Sequence, residues 1–385
     1  MAKKIILEPS RTLAEFRLLP GLTDEASVFE RVNLNTVLTA PYRTGNAVLL
    51  GTPLLAAAMQ SVSGVRMAVE LARLGGCAFI YCSQPIKEQA EMVRLAKQLF
   101  VKIPNTAGQT GAIGAAVNTH DYTERVPSLV DAGVDVITLD SSDGYSTYQA
   151  KALTWIRERF PKLTTVAGNI VTAEGFRFLA ECGADAVKVG MGGGSICITQ
   201  EQKGTGRGLA TAIIDVVEAR ERWKSHTGIH IPVIADGGIT TAKEITMALA
   251  MGSDAVMMGR YFARMEESPT EKITLNNKVM KPYWGEGAPR ASDWKSNRYH
   301  QSKFAEGVEG FVEYAGTLDE NLSQTTAKIR ASLSSCGCPD IPSFHKNAVL
   351  EIVSALSIRE GQVHDIFLPG METASYGRTV WGEQS

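Results

Sequence analysis

A chain of 385 residues with 44% hydrophobic and 21% charged residues has an ordinary globular composition, long enough for one large domain or several smaller ones. A formal net charge of -2 leaves no global basic field for non-specific nucleic-acid binding, so any phosphate must be gripped locally. No apolar run reaches the length of a membrane span, and "MAKKIILEPS" lacks the apolar core and cleavage site of a secretory signal, so a cytoplasmic protein without membrane partners is expected.

Taken in chain order, residues 1 to 50 carry little chemical signal and are expected to cover the bottom of whatever follows. Eight strand-like runs then recur: "PLLAAAM" (53 to 59), "CAFIYC" (77 to 82), "AIGAAV" (112 to 117), "VDVITLD" (134 to 140), "TTVAGNI" (164 to 170), "DAVKVGM" (185 to 191), "IPVIADG" (231 to 237) and "DAVMMG" (254 to 259). They are almost continuously apolar, as parallel strands buried on both faces must be, and amphipathic segments such as "DYTERVPSLVDAG" alternate with them. Three helix-to-strand joints look alike, "DAGVDVITLD", "ECGADAVKVG" and "AMGSDAVMMG", each with a glycine to end the helix. Eight such units predict an α/β fold of the (β/α)8 TIM-barrel type, one catalytic domain over residues 1 to 385, with 270 to 315 as a mobile flap. A doubly wound sheet would more often place a glycine fingerprint after its first strand, whereas here the glycines gather after strands six, seven and eight.

A barrel carries its site at the carboxyl ends of its strands. The candidates are therefore Met59 and Gln60, Asp140 to Ser142, Asn169, the Cys197 loop, Asp236 to Gly238, and Gly259 to Tyr261. "ADGGI" and "MGRYF" follow strands seven and eight, where clustered backbone N–H groups favour a phosphate. Asp236 could accept from a sugar diol or cap a helix.

"GMGGGSICITQEQKGTGRG" puts Cys197 inside a glycine-dense loop, where an accessible thiol could be a nucleophile or sit inert in a tight turn. The loop's backbone carbonyls could also coordinate a monovalent cation. Cys77 and Cys82 sit in an apolar run and read as packed core; Cys336 and Cys338 lack a second ligand pair at zinc-site spacing. HExxH, GxSxG, a P-loop and a strand-linked GxGxxG are all missing from the sequence.

The loop, together with "VDVITLDSSDGYS", "AGNI", "IPVIADGGI", "EESPTEK" and "NRY", resembles the catalytic domain of the IMP dehydrogenase and GMP reductase family from about residue 8 to 370. The resemblance implies that Cys197 attacks C2 of the IMP hypoxanthine, that hydride leaves to NAD, and that the covalent intermediate is hydrolysed to XMP. It implies that Ser195, Gly238 and Gly259 hold the 5'-phosphate, Asp236 the ribose diol, and Met59, Gly285 and Glu286 the base, with Tyr283 and Gly287 in the same substrate site and Arg260 near the phosphate. By the same token Asp140, Ser141, Ser142, Asn169, Lys188 and Gly190 would surround the NAD ribose and nicotinamide. Thr199 stands beside the thiol, Glu306 occupies a base-contacting position, and Arg298 with Tyr299 match a pair that activates water. Carbonyls of Gly192, Gly194 and Cys197 match a potassium site completed by Glu360, Gly361 and Gln362 of a neighbouring subunit, in a homotetramer.

The chain also departs from the family pattern. "VKIPNTAGQTG", residues 101 to 111, stands where most members insert two nucleotide-sensing modules. Ala57 replaces a common serine, Arg260 a small residue, and "REGQ" the usual double glycine. Lack of the modules leans toward GMP reductase, which deaminates GMP with NADPH. "NRYHQSKFAEGVEG" and "EESP" lean toward the dehydrogenase and lie at the chemistry. A non-enzymatic purine-nucleotide-binding barrel is the third reading.

Overall fold

The computed structural model describes residues 5–40, 42, 44–102, 110–292 and 304–363. At its centre eight parallel strands close into a barrel: β1 (Leu54–Ala56), β2 (Cys77–Ile80), β3 (Ala112–Val117), β4 (Val136–Asp140), β5 (Thr164–Ile170), β6 (Ala186–Val189), β7 (Val233–Asp236) and β8 (Ala255–Met258). Each strand pairs with the next in sequence, and β8 returns to β1 with Val256 opposite Leu54 and Met258 opposite Ala56. The fold is the (β/α)8 barrel, and each of the eight expected runs supplies a strand. Helices Val65–Arg73, Ile86–Lys102, Tyr122–Asp131, Thr147–Arg159, Ala173–Glu181, Leu209–Thr227 and Ala242–Ala250 link the strands. Leu318–Ser335 completes the ring, packing against Ala242–Ala250 and Val65–Arg73. Among the described residues no helix is long and apolar enough to cross a membrane.

The three look-alike joints use one device. Gly133, Gly183 and Gly252 turn the chain at φ of +83°, +100° and +100°, a region open to glycine. Two residues on, Asp135, Asp185 and Asp254 each accept an N–H near the start of the preceding strand, from Ile113, Thr165 and Val233, at 2.9, 2.7 and 2.8 Å. Each carboxylate also meets a cation from the helix before that strand: Lys97, Arg157 and Arg220. Burial alone would raise the Asp254 carboxyl, yet the Arg220 guanidinium, with His230 and His345, holds it at about 2.

Inside the barrel, Leu55, Cys77, Phe79, Val136, Val166, Ile234 and Met257 belong to one buried apolar cluster. Phe79 fills the space beside Gly114, where a Cβ would stand 2.7 Å from its ring. Truncating such a side chain costs roughly 3–5 kcal/mol, so this pairing of large with small is a main support of the interior. The hairpin of Thr36–Thr39 and Val48–Leu50 plugs the bottom: Leu38 and Leu50 join the interior cluster, and Thr36 Oγ1 donates to the Asp254 carbonyl at 2.6 Å. The expected bottom cover is thus this hairpin and not the whole of residues 1 to 50. Phe16–Leu19 instead pairs antiparallel with Val349–Ile352.

The described parts of the 270–315 excursion are more regular than a polar lid would require. Ile273–Leu275, Lys278–Trp284 and Glu309–Glu313 form a three-stranded antiparallel sheet. Lys281, buried within it, donates to the carbonyls of Met265 and Ser268 at 2.7 and 3.1 Å, and burial pushes its amine down to about 8.

Candidate active site

The end of β6 can only be glycine. Gly190 has φ +138°, and a Cβ there would fall 1.9 Å from the Asp236 carbonyl on β7. The chain then runs through Gly192–Gly194 to Cys197, whose N–H donates to Gly194 O at 3.0 Å. Opposite, the Gly237–Gly238 turn approaches so closely that a Cβ on Gly238 would meet Gly193 O at 2.8 Å. Two glycine turns therefore face each other with bare backbone.

The Cys197 loop is stitched to the far leg of the excursion. Cys197 and Gly307 form an antiparallel bridge, Ile198 N donates to Glu306 O at 3.1 Å, and Val308 N donates to Ile196 O at 3.0 Å. This register sets three side chains in line. Cys197 Sγ lies 3.2 Å from Thr199 Oγ1, which donates to Glu306 Oε2 at 3.3 Å, and the Lys203 ammonium stands 3.4 Å from the same oxygen. Thr199 and Glu306 are buried while Cys197 is half-buried at the cavity. By contrast, burial pushes the thiols of Cys77, Cys82, Cys336 and Cys338 upward, away from the thiolate a nucleophile needs.

Met59, Gly259 and Tyr283 form one wall: a Cβ on Gly259 would stand 2.7 Å from the Tyr283 hydroxyl and 3.0 Å from Met59 Sδ. Burial, then the nearby Asp236 carboxylate, raises the Tyr283 phenol, which stays neutral. The Glu286 carboxylate accepts the Gln60 N–H at 2.8 Å, so its side chain braces the wall against the loop after β1.

At the barrel mouth the Lys188 ammonium contacts Asp236 Oδ2 at 2.9 Å and Asp140 Oδ1 at 3.3 Å. Asn169 Nδ2 donates to Asp236 Oδ2 and to Gly190 O, both at 2.9 Å. Asn169 Oδ1 and Thr138 Oγ1 are buried with no hydrogen-bond partner among the described residues, although both residues line the cavity. That cavity holds about 1060 Å³, open solvent included, and takes in Cys197, Thr199, Glu306, Asp140, Asp236 and the wall.

Comparison with known proteins meets this geometry. The family model for the IMP dehydrogenase / GMP reductase domain matches residues 10–364. Inosine-5'-monophosphate dehydrogenase of Tritrichomonas foetus is 37% identical, across 94% of this chain and 97% of that protein.

The chain belongs to the IMP dehydrogenase / GMP reductase family.

The alignment with the Tritrichomonas relative spans 490 positions, more than this chain has residues, so that family member carries sequence with no counterpart here. The enzyme of the same name from Borreliella burgdorferi is 33% identical over 417 positions, covering 95% of this chain and 99% of itself. That from Escherichia coli K12 is 42% identical over 262 residues, 66% of this chain and 52% of that protein. Relatives bearing this name make the chain an oxidoreductase of the family.

Within this family member the cavity brings together Met59, Asp140, Ser142, Asn169, Lys188, Gly190, Gly192, Gly194, Ser195, Cys197, Thr199, Asp236, Gly238, Gly259, Arg260, Tyr283, Gly285, Glu286, Gly287 and Glu306. Ser141 is not among the lining residues; its hydroxyl donates to Asp143 O at 3.2 Å. Glu360–Gln362 lies apart, with Gly361 beside the Arg17 guanidinium, so one chain does not join it to the Cys197 loop. Arg298, Tyr299 and residues 103–109 of the expected linker lie outside the described residues. Sequence reading passed over Lys203 and Thr138. Lys203 had a signal, because Thr199 and Lys203 sit four apart on the helix Thr199–Lys203 and so share a face.

Proposed function

We propose that the chain is an IMP dehydrogenase that oxidises IMP to XMP with NAD, in one catalytic domain that lacks the nucleotide-sensing modules. The observation that carries this reading is the Cys197–Thr199–Glu306 line at the barrel mouth of a member of this family. Cys197 Sγ would bond to C2 of the hypoxanthine; the hydride on C2 would then depart with its electron pair, leaving a planar carbon still attached to sulfur. Water would add to that carbon and the thiolate would leave, giving XMP and free Cys197. Thr199 and Glu306 would pass a proton between the reacting centre and the carboxylate. Arg298 and Tyr299 are assigned to activating the water.

For the nucleotide, Ser195, Gly238, Gly259 and Arg260 are assigned to the phosphate, in keeping with the two bare glycine turns and one cation. Asp236 would take the ribose diol. The base would lie between Met59 and the Gly285–Gly287 backbone, with Tyr283 on the wall beside it. NAD, when bound, supplies the hydride acceptor. Asp140, Ser142, Asn169, Lys188 and Gly190 would hold it, with Ser141 beside them, and the partnerless Asn169 Oδ1 and Thr138 Oγ1 fit a polar ligand there. The carbonyls of Gly192, Gly194 and Cys197 would give half of a potassium cage, with Glu360–Gln362 of a second copy supplying the rest. On this reading the enzyme is a cytoplasmic homotetramer.

The test is a paired assay. Wild type should form NADH from IMP, and Cys197→Ala should form none while still binding IMP, with the trapped sulfur adduct visible by mass spectrometry in wild type alone. Arg298→Ala should give one burst of NADH and then slow XMP release. Consumption of NADPH with GMP and release of ammonia would replace the dehydrogenase with the reductase; full function in Cys197→Ala would leave only a binding barrel.

A further inference from the structure

The loop after β1 carries a residue whose backbone N–H and both side-chain amide atoms bond to other elements. Gln60 N donates to Glu286 Oε1 at 2.8 Å, Gln60 Oε1 accepts the Trp284 indole N–H at 3.1 Å, and Gln60 Nε2 donates to Ser83 O at 2.7 Å. Next to it, Ser61 Oγ donates to Trp284 O at 3.0 Å. The Arg290 guanidinium covers the Trp284 ring, 4.1 Å from its centroid. One amide therefore ties the loops after β1 and β2 to the inner strand of the flap sheet, at the residues that flank Gly285.

We propose that Gln60 is a positioning residue for the purine base: it fixes Trp284 and Glu286, and through them the Gly285–Gly287 backbone, against Met59. Gln60 itself does not line the cavity, so it acts through that backbone. The inference rests on the reading that a purine nucleotide binds between Met59 and Gly285–Gly287. These hydrogen bonds are part-buried, so removing one partner leaves the other poorly satisfied, and the expected penalty here is about tenfold in affinity.

The experiment compares IMP with ribose 5-phosphate, which keeps the sugar phosphate and lacks the base, by calorimetry on wild type, Gln60→Ala, Trp284→Phe and the double variant. Gln60→Ala and Trp284→Phe should each weaken IMP about tenfold while ribose 5-phosphate stays within about twofold, and the double variant should be no worse than the weaker single. Steady-state kinetics should show the loss in KM for IMP, with the rate of Cys197 alkylation by iodoacetamide unchanged. Equal losses for both ligands, or no loss for IMP, would overturn the proposal. If Gln60→Ala does not fold, Trp284→Phe decides by the same comparison. A wild type that binds IMP no better than ribose 5-phosphate would instead sink the underlying reading of the base site.

Discussion

Lys188 holds Asp236 at the barrel mouth through a 2.9 Å contact in which the lysine is buried and the aspartate nearly so. With Asp140 Oδ1 at 3.3 Å, one cation serves two carboxylates that are assigned to neighbouring riboses. Lys188→Met would take this cation from both carboxylates, while Asn169 Nδ2 still donates to Asp236, and removing one partner of such a pair costs about 3 kcal/mol. Urea unfolding of Lys188→Met should register that loss, and IMP affinity should fall with it; a variant as stable as wild type would show that water already screens the pair.

Thr199 Oγ1 sits between Cys197 Sγ and Glu306 Oε2. Thr199→Val keeps the shape and removes the hydroxyl, so proton transfer along the line should fail. A drop in kcat of about 10²-fold is expected, the usual scale for a positioned acid or base, with IMP affinity little changed. Glu306→Gln should lower kcat by a similar factor, because the amide cannot take up the proton that Thr199 relays. An unchanged kcat in Glu306→Gln would remove Glu306 from the mechanism.

Gly190→Ala tests the crossing of β6 and β7. The new Cβ would fall 1.9 Å from Asp236 O at a φ of +138°, so β7 must shift and carry Asp236 with it. Loss of more than about 3 kcal/mol in thermal or urea unfolding is expected, on the scale of a severe steric substitution. Gly133→Ala, where a Cβ meets nothing within 4 Å but φ is +83°, should cost only about 1 kcal/mol.

His345 gives the pH dependence of stability. Burial lowers its pKa from the usual 6.5, against the pull of Asp254, with Arg220 and His230 nearby; Nε2 lies 2.9 Å from Ser253 O. The unfolded chain therefore takes up a proton before the folded one does. Stability is fully present above 6.5 and is lost as pH falls through the lower folded value. The melting temperature should decline on acidification below about pH 6.5, and His345→Gln should flatten that decline. Asp254 adds a second, more acidic loss: it is held at about 2 against a usual 3.8, so its contribution disappears between those values.

The barrel was legible because its strands are nearly continuous apolar runs, and because the "GVD", "GAD" and "GSD" joints repeat one local device. Cys197 was legible for a similar reason, following a glycine-dense stretch in which Gly190 and Gly192 take positive φ and leave no room for a Cβ. What stayed hidden is non-local. The pairing of Phe16–Leu19 with Val349–Ile352, the seating of Thr36 on the Asp254 carbonyl and the brace from Glu286 to Gln60 each join residues far apart in the chain, and no periodicity marks such partners. Glu286 illustrates the limit: resemblance assigns it to the base, while its carboxylate faces the backbone of the loop after β1.

The ribbon of Phe16–Leu19 with Val349–Ile352 also bears on how the molecule is born. Translation makes Phe16–Leu19 long before its partner Val349–Ile352, and β1 likewise waits for β8. Such long-range closure is slow and leaves nascent chains with unpaired edges. Chains stalled before Val349 should be cut readily by protease within Phe16–Leu19, whose partner is not yet made, and chains that include Val349–Ile352 should resist there: a clasp outside the barrel fastens only after the barrel itself has closed.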